Sequence, residues 1–387
     1  MPIDIADPRL PAARGAGADA VLLDLAAESL AATSASRADA IGLALAGELA
    51  LRLRSGAALR LAETLAAAPS VAVARALWRQ LIEAWAIASR PAAGDAVAVR
   101  LFALPLVVIA GSEESALRPA SAATIAGVLP DTERLAAILR EHGALAGNQT
   151  FGLATALVGA EALDVPHWSE LLGWQNLAGR RDGGARDLPP APIAVSPGQQ
   201  SVHLRFLIGT ALAAGETDIL AAGERGWAVP FAQELARQLA APGIAVLALP
   251  RPPQAPPAAL QQGRAAQREI GAQLFASNAI RKLRAATGEP AAVISAHRAA
   301  AAPGGGELRL SLSSPFDPRA AEGFCCPLFP TDHAGDVAVM LVDLLRDCRI
   351  ADVRVLAGVH ADRDPQTGMT LLFKADALDS GAPAALH

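Results

Sequence analysis

Apolar positions recur at helical spacing through the first ninety residues and alternate with polar ones after about residue 200. Ile41, Leu45 and Leu49 fall every four residues, which puts them on one face of a helix. Ser36-Arg37-Ala38-Asp39 fits a capping box at its start, where hydroxyl and carboxylate each satisfy a free N–H. Ser55-Gly56 reads as its stop, and a shorter helix over 57–67 ends before Pro69. Ser70 caps the next helix. Its stripe of Val73, Leu77, Trp78, Leu81, Ile82 and Trp85 is wide enough to face a core, and Pro91 stops it.

Residues 97–110 break this pattern. Val97, Val99, Leu101 and the run LPLVVIA are apolar and partly β-branched, which predicts one buried strand with Pro105 as a possible break point. Helices are expected again over 131–142, 149–160 and 166–176, with Asp131 as an N-cap and Gly143 as a stop. The stretch 179–200 is rich in glycine and proline, has little apolar periodicity and reads as a linker.

Beyond the linker, strands are expected at 203–209, 244–249, 291–296, 307–313, 353–359 and 369–373, and helices at 227–241, 258–286 and 334–348. Val337, Met340, Leu341, Leu344, Leu345 and Cys348 line one face of the last helix. The expected fold is mixed α/β (α+β). A mainly helical part with one buried strand covers 1–178, and a mixed-sheet α/β domain covers 201–376. The linker at 179–200 separates them, and a flexible tail follows at 377–387.

Composition changes the weight of the apolar count. The chain has 387 residues and is 52% hydrophobic, but 92 of those residues are alanine, which forms helices well and fills cores poorly. Lys282 and Lys374 are its only lysines. The excess of alanine and of arginine over lysine reads as the codon bias of a GC-rich bacterial genome. Three cysteines, two of them adjacent (Cys325, Cys326), make no disulfide framework and fit a reducing, cytoplasmic setting. No apolar run reaches the roughly 18–20 residues of a membrane helix. The N-terminus MPIDIADPRL carries acids where a signal peptide carries basic residues.

The net charge of −5 is spread evenly: residues 1–200 hold 16 basic and 20 acidic side chains, and the rest hold 17 and 18. That argues against a broad nucleic-acid footprint. The expected partner is another protein or a second copy of the chain, with no nucleic acid and no membrane.

No glycine loop of the phosphate-binding type precedes a helix. Pro303-Gly304-Gly305-Gly306 lies between two expected strands, where a flexible connection explains it. Ser112 follows a strand, but Ala110-Gly111-Ser112-Glu113-Glu114 is not G-x-S-x-G and reads as a helix cap. H-x-x-x-H and Cys-x-x-Cys are both absent, so no metal or cofactor is assigned. The basic run Arg281-Lys282-Leu283-Arg284 sits where a helix end favours positive charge.

Two clusters remain: Cys325-Cys326 with Asp332, His333 and Asp336, and His360 with Asp362 and Asp364. The second trio shares one face if its strand continues that far. His297 follows the strand AAVIS and His360 follows VRVLAGV. Ligands of open α/β sheets bind beyond the carboxyl ends of strands. If these two strands are parallel neighbours, both histidines meet in one crevice, where imidazole suits acid–base work near neutral pH.

Two functions follow as expectations. The favoured one is an accessory or assembly protein acting through protein–protein contacts, with alanine and leucine faces in the helical half. The alternative is a hydrolase or transferase with His297, His333, His360 and Asp362 as catalytic residues and Asp332 beside them. The enzyme requires those side chains to converge. The assembly protein requires exposed apolar surface.

Overall fold

In the computed structural model the alternating stretches pair into sheets and the periodic ones form helices. The described residues are 3, 5–9, 18–90, 97–111, 122–144, 150–178, 189–196, 200–214, 225–241, 243–251, 253–298, 305–314, 316, 320–361, 363 and 370–374. In chain order the first elements are α1 (Ala20–Ala31), α2 (Ala35–Arg54), α3 (Ala58–Ala66), α4 (Val71–Ala88), β1 (Val97–Ala110), β2 (Ala123–Ile125), α5 (Thr132–Glu141) and β3 (Phe151–Val158). Then come α6 (Trp168–Ala178), β4 (Ile193–Val195), β5 (Ser201–Ala214), α7 (Ala228–Leu239), β6 (Ile244–Ala248), α8 (Pro256–Thr287), β7 (Ala291–Arg298), β8 (Gly306–Ser313), β9 (Ala321–Leu328), α9 (Ala334–Asp347) and β10 (Val353–His360). The mixed α/β class, with a helical N-terminal part and a mixed sheet in the C-terminal region, is therefore the observed one. No described helix is long and apolar enough to cross a membrane.

Several local expectations shift. The hydroxyl that caps α2 belongs to Ser34, which accepts from the Arg37 N–H, so the helix starts one residue before Ser36. Residues 149–160 do not form a helix: Phe151–Val158 is a strand paired antiparallel with β5. Gly152 and Gly159 weaken a helix there, and pairing buries Phe151, Leu153 and Leu157. The expected strand at 369–373 is absent among the described residues, where Thr370 makes only an isolated bridge to Arg363. Of the linker, 179–188 and 197–199 lie outside the described residues and Ile193–Val195 is β4; the tail 377–387 also lies outside them.

Packing divides the chain into two units: residues 1–42, 63–79 and 268–387, and residues 43–62 and 80–267. The second unit holds a sheet in the order β3-β5-β1-β6, whose neighbours are all antiparallel. Phe102, Leu104, Leu106 and Val108 on one face of β1 join a core with Leu135 and Leu139 of α5 and Phe231 and Leu235 of α7. β1 runs unbroken through Pro105. Ala103 donates its N–H to the Gln254 carbonyl on the β6 side, and the β6 ladder begins at Leu106. Alternation points the missing N–H of Pro105 into the gap between those two pairings, where no partner is lost.

The first unit holds a mixed sheet in the order β10-β7-β8-β9. β7–β8 and β8–β9 are antiparallel, and β10 runs parallel to β7. Its strands read with period two. Ala292, Ile294 and Ala296 of β7 and Leu308, Leu310 and Leu312 of β8 face one way, packed with Val337, Ala338, Leu341 and Leu345 of α9 and Ala272, Ala276 and Ile280 of α8. The intervening residues are Ala291 and Val293 at the start of β7 and otherwise polar: Ser295, His297, Glu307, Arg309, Ser311 and Ser313. A sheet with one helix-covered face ordinarily turns such residues to water. Here all but Glu307 are fully or almost fully buried.

Candidate functional site

The polar face takes its geometry from strand register. Ser295 pairs across to Arg309 and on to Cys325, while His297 pairs across to Glu307 and, on its other side, to His360. The His297–His360 neighbourhood depends on a bulge. Val355 pairs with Ile294, yet Val359 pairs with Ala296, so β10 spends two extra residues there. Gly358, at φ +88°, supplies the left-handed turn this needs. Without the extra residues Gly358 would stand beside His297. Two extra residues keep the side-chain parity, so His360 points to the same face as His297. The imidazole centroids are 5.8 Å apart, and Phe373 lies 5.8 Å from the first ring and 4.7 Å from the second.

His297 is held at both nitrogens. Nδ1 is 2.8 Å from the Ala361 carbonyl and Nε2 is 2.7 Å from Ser295 Oγ. A carbonyl only accepts, so Nδ1 carries the proton, and Nε2 accepts the Ser295 hydroxyl. That is the arrangement of a nucleophile beside a general base whose orientation is set by a third group. A second Ser-x-His pair, on β5, provides a contrast. His203 Nε2 is 2.9 Å from Ser201 Oγ and 3.1 Å from the Ala194 carbonyl. There Nε2 must donate to the carbonyl and cannot accept the serine proton.

The neighbouring groups are more constrained. Arg309 pairs with Glu307 at 2.6 Å and donates to the Leu371 carbonyl at 2.9 Å. Burial holds the His360 imidazole below its ordinary value, and its buried Nε2 has no hydrogen-bond partner among the described residues. Ser311 Oγ is likewise buried and without a partner there. Surrounding protein and then the Glu307 carboxylate push the Cys325 thiol up, and burial pushes Cys326 up to about 12. Neither thiol is prepared as a thiolate nucleophile.

The structure brings His297 and His360 together and leaves His333 apart. His333 is the N-cap residue of α9, on the helix-covered side of the sheet, 3.9 Å from Asp336. Asp332 accepts from the Phe329 N–H at 2.8 Å and pairs with Arg268 at 2.5 Å, which is turn chemistry. Asp362 and Asp364 lie outside the described residues, as does Ser112. The basic run is spent on neighbours: Arg281 on Asn278, Lys282 on Glu322, and Arg284 on Glu289. Among the described residues no group of three or more His, Cys, Asp or Glu could hold a metal ion. Sequence reasoning missed Ser295. The signal was present, because a residue two before a strand histidine shares its face.

Comparison with protein-family models, curated proteins and solved structures finds no match for this chain.

Proposed function

We propose that the chain is an acyl-transferring enzyme of the hydrolase or transferase class, with Ser295 as nucleophile and His297 as general base. The hydrogen-bonded line from Ser295 through His297 to the Ala361 carbonyl carries this reading. Ser295 Oγ would attack an acyl carbonyl as its proton passes to His297 Nε2. The same proton would then leave with the departing group as the bond to it breaks, giving an acyl-serine that water or an acceptor resolves. His360 presents a buried imidazole nitrogen, Nε2, that has no partner among the described residues and could meet a substrate group. Ser295 and His297 are both fully buried, with Phe373 over the histidines, so the reading requires this face to open.

A fluorophosphonate probe tests it. Intact-mass and peptide analysis should find one adduct on Ser295, lost in Ser295→Ala and strongly slowed in His297→Gln. No adduct on Ser295, in the wild-type chain or after Phe373→Ala, would sink the proposal.

A second reading, an assembly protein that acts as a homo-oligomer, draws on α2. Leu43 and Leu51 are 73% and 59% exposed, and between them the Gly47 position opens to free space, so the three lie on one stripe at four-residue spacing. Native mass spectrometry would then show an oligomer that Leu43→Glu with Leu51→Glu converts to monomer. A wild-type monomer at micromolar concentration would end this reading.

A further inference from the structure

The segment Thr370–Lys374 crosses the polar face and is held there at successive residues. The Leu371 carbonyl accepts from Arg309 at 2.9 Å. The Leu372 side chain rests on Gly323, where a Cβ would come within 2.5 Å of it. Phe373 packs with Ala291, Val293 and Leu356 and against both imidazoles. Lys374 is 5% exposed.

We propose that Thr370–Lys374 is a pH-sensitive strap, docked over Ser295 and His297 while His360 is neutral and released when His360 takes up a proton. His297 has already committed both nitrogens. His360 has not: a proton added to its ring would put a charge beside a buried Nε2 that has no acceptor among the described residues. His297 on β7 stands in register beside it, the Glu307–Arg309 pair lies one strand further on β8 and Cys325 beyond that on β9, with Arg363 just past β10 and Lys374 next to Phe373 on the strap. Glu307 is already neutralised by Arg309. The face of Phe373 attracts a cation, but it offers the new proton no hydrogen bond.

The sign of the effect follows from linkage. Burial lowers the docked imidazole's affinity for a proton relative to its ordinary value of 6.5. Released strap therefore binds the proton more readily, and docking loses ground as pH falls below about 6.5.

The two lysines make the test simple. A lysine-specific protease can cut only after Lys282, within α8, and after Lys374. Cutting after Lys374 needs the strap undocked, and cutting after Lys282 reports general unfolding. Rates are normalised to a lysine-containing control peptide in the same tube. For the full-length chain, normalised cutting after Lys374 should rise between about pH 8 and pH 5.5, by up to about tenfold per unit for one proton, with Lys282 intact. His360→Gln, which cannot charge, should give a low and flat profile. His360→Arg, charged throughout, should be cut at pH 8. If the His360→Gln chain also opens at Lys282, His360→Asn takes its place. A flat wild-type profile, or an unchanged pH dependence after His360→Gln, overturns the proposal.

Release by itself does not need the enzyme; only its consequence for Ser295 rests on that reading. Fluorophosphonate labelling in parallel separates the two. A pH-dependent cut with no adduct keeps the strap and sinks the enzyme. An adduct with a flat cutting profile does the reverse.

Discussion

Replacing Ser295 by alanine tests the tautomer on which the candidate site turns. In the wild-type chain the Ser295 hydroxyl satisfies His297 Nε2, a fully buried acceptor, while Nδ1 stays bound to Ala361. Alanine removes the hydroxyl that donates to that nitrogen and no carbon volume. An orphaned buried acceptor costs about 1–3 kcal/mol. For a unit of roughly 150–250 residues that lowers the melting temperature by about 2–4 °C per kcal/mol. The matching Ser201→Ala change on β5 is the control. His203 Nε2 keeps the Ala194 carbonyl as its acceptor, so no group is orphaned. Its cost should stay within about 0.5 kcal/mol. Calorimetry of the two variants gives the difference, and long-range proton–nitrogen correlation spectra of the histidines report each tautomer directly. A Ser201→Ala cost equal to or above that of Ser295→Ala, or a His297 proton found on Nε2, would refute the argument.

Three further outcomes are expected. Asp332→Asn and His333→Gln should leave fluorophosphonate labelling of Ser295 unchanged, because both residues serve the turn and cap before α9; a loss of labelling would put them back in the site. Gly209→Ala should destabilise the β3-β5-β1-β6 unit by about 1–3 kcal/mol, since a Cβ there would come within 2.2 Å of the Phe102 ring, and Phe102→Leu should recover part of the loss in denaturant titrations. Glu234 is held at about 2 by hydrogen bonds from Arg237 and Gln238. A depressed carboxylate stabilises the fold above its ordinary value of 4.5 and stops doing so as pH falls through about 2. The melting-temperature gap between wild type and Glu234→Gln should therefore be widest near neutral pH and shrink steadily below about pH 4.5.

Much of the fold was legible because its signals are local. The stripe from Val337 to Leu345 and the turn before it specify α9 whatever surrounds them. The alternation in Ala292–His297 and Leu308–Ser313 specifies strands with one apolar face. Residues 149–160 misled because alanine and leucine suit either element, and the decision came from β5 lying alongside. β9 went unread for a similar reason. Its Ala321–Leu328 run has glycine, a cysteine pair and proline in place of a clear period, and β8 defines it as a strand.

The candidate site was legible only in part. The chain's own order of residues determined that His297 and His360 end two strands, and that Ser295 shares a face with His297. Tertiary structure alone decided that β10 lies parallel beside β7, that a bulge at Gly358 advances His360 into register, that His333 falls on the opposite side of the sheet, and that Phe373 closes over the pair. The physical reason is range. A side chain's face is set by torsions within a few residues, whereas strand order and cover are set by which distant surfaces bury together.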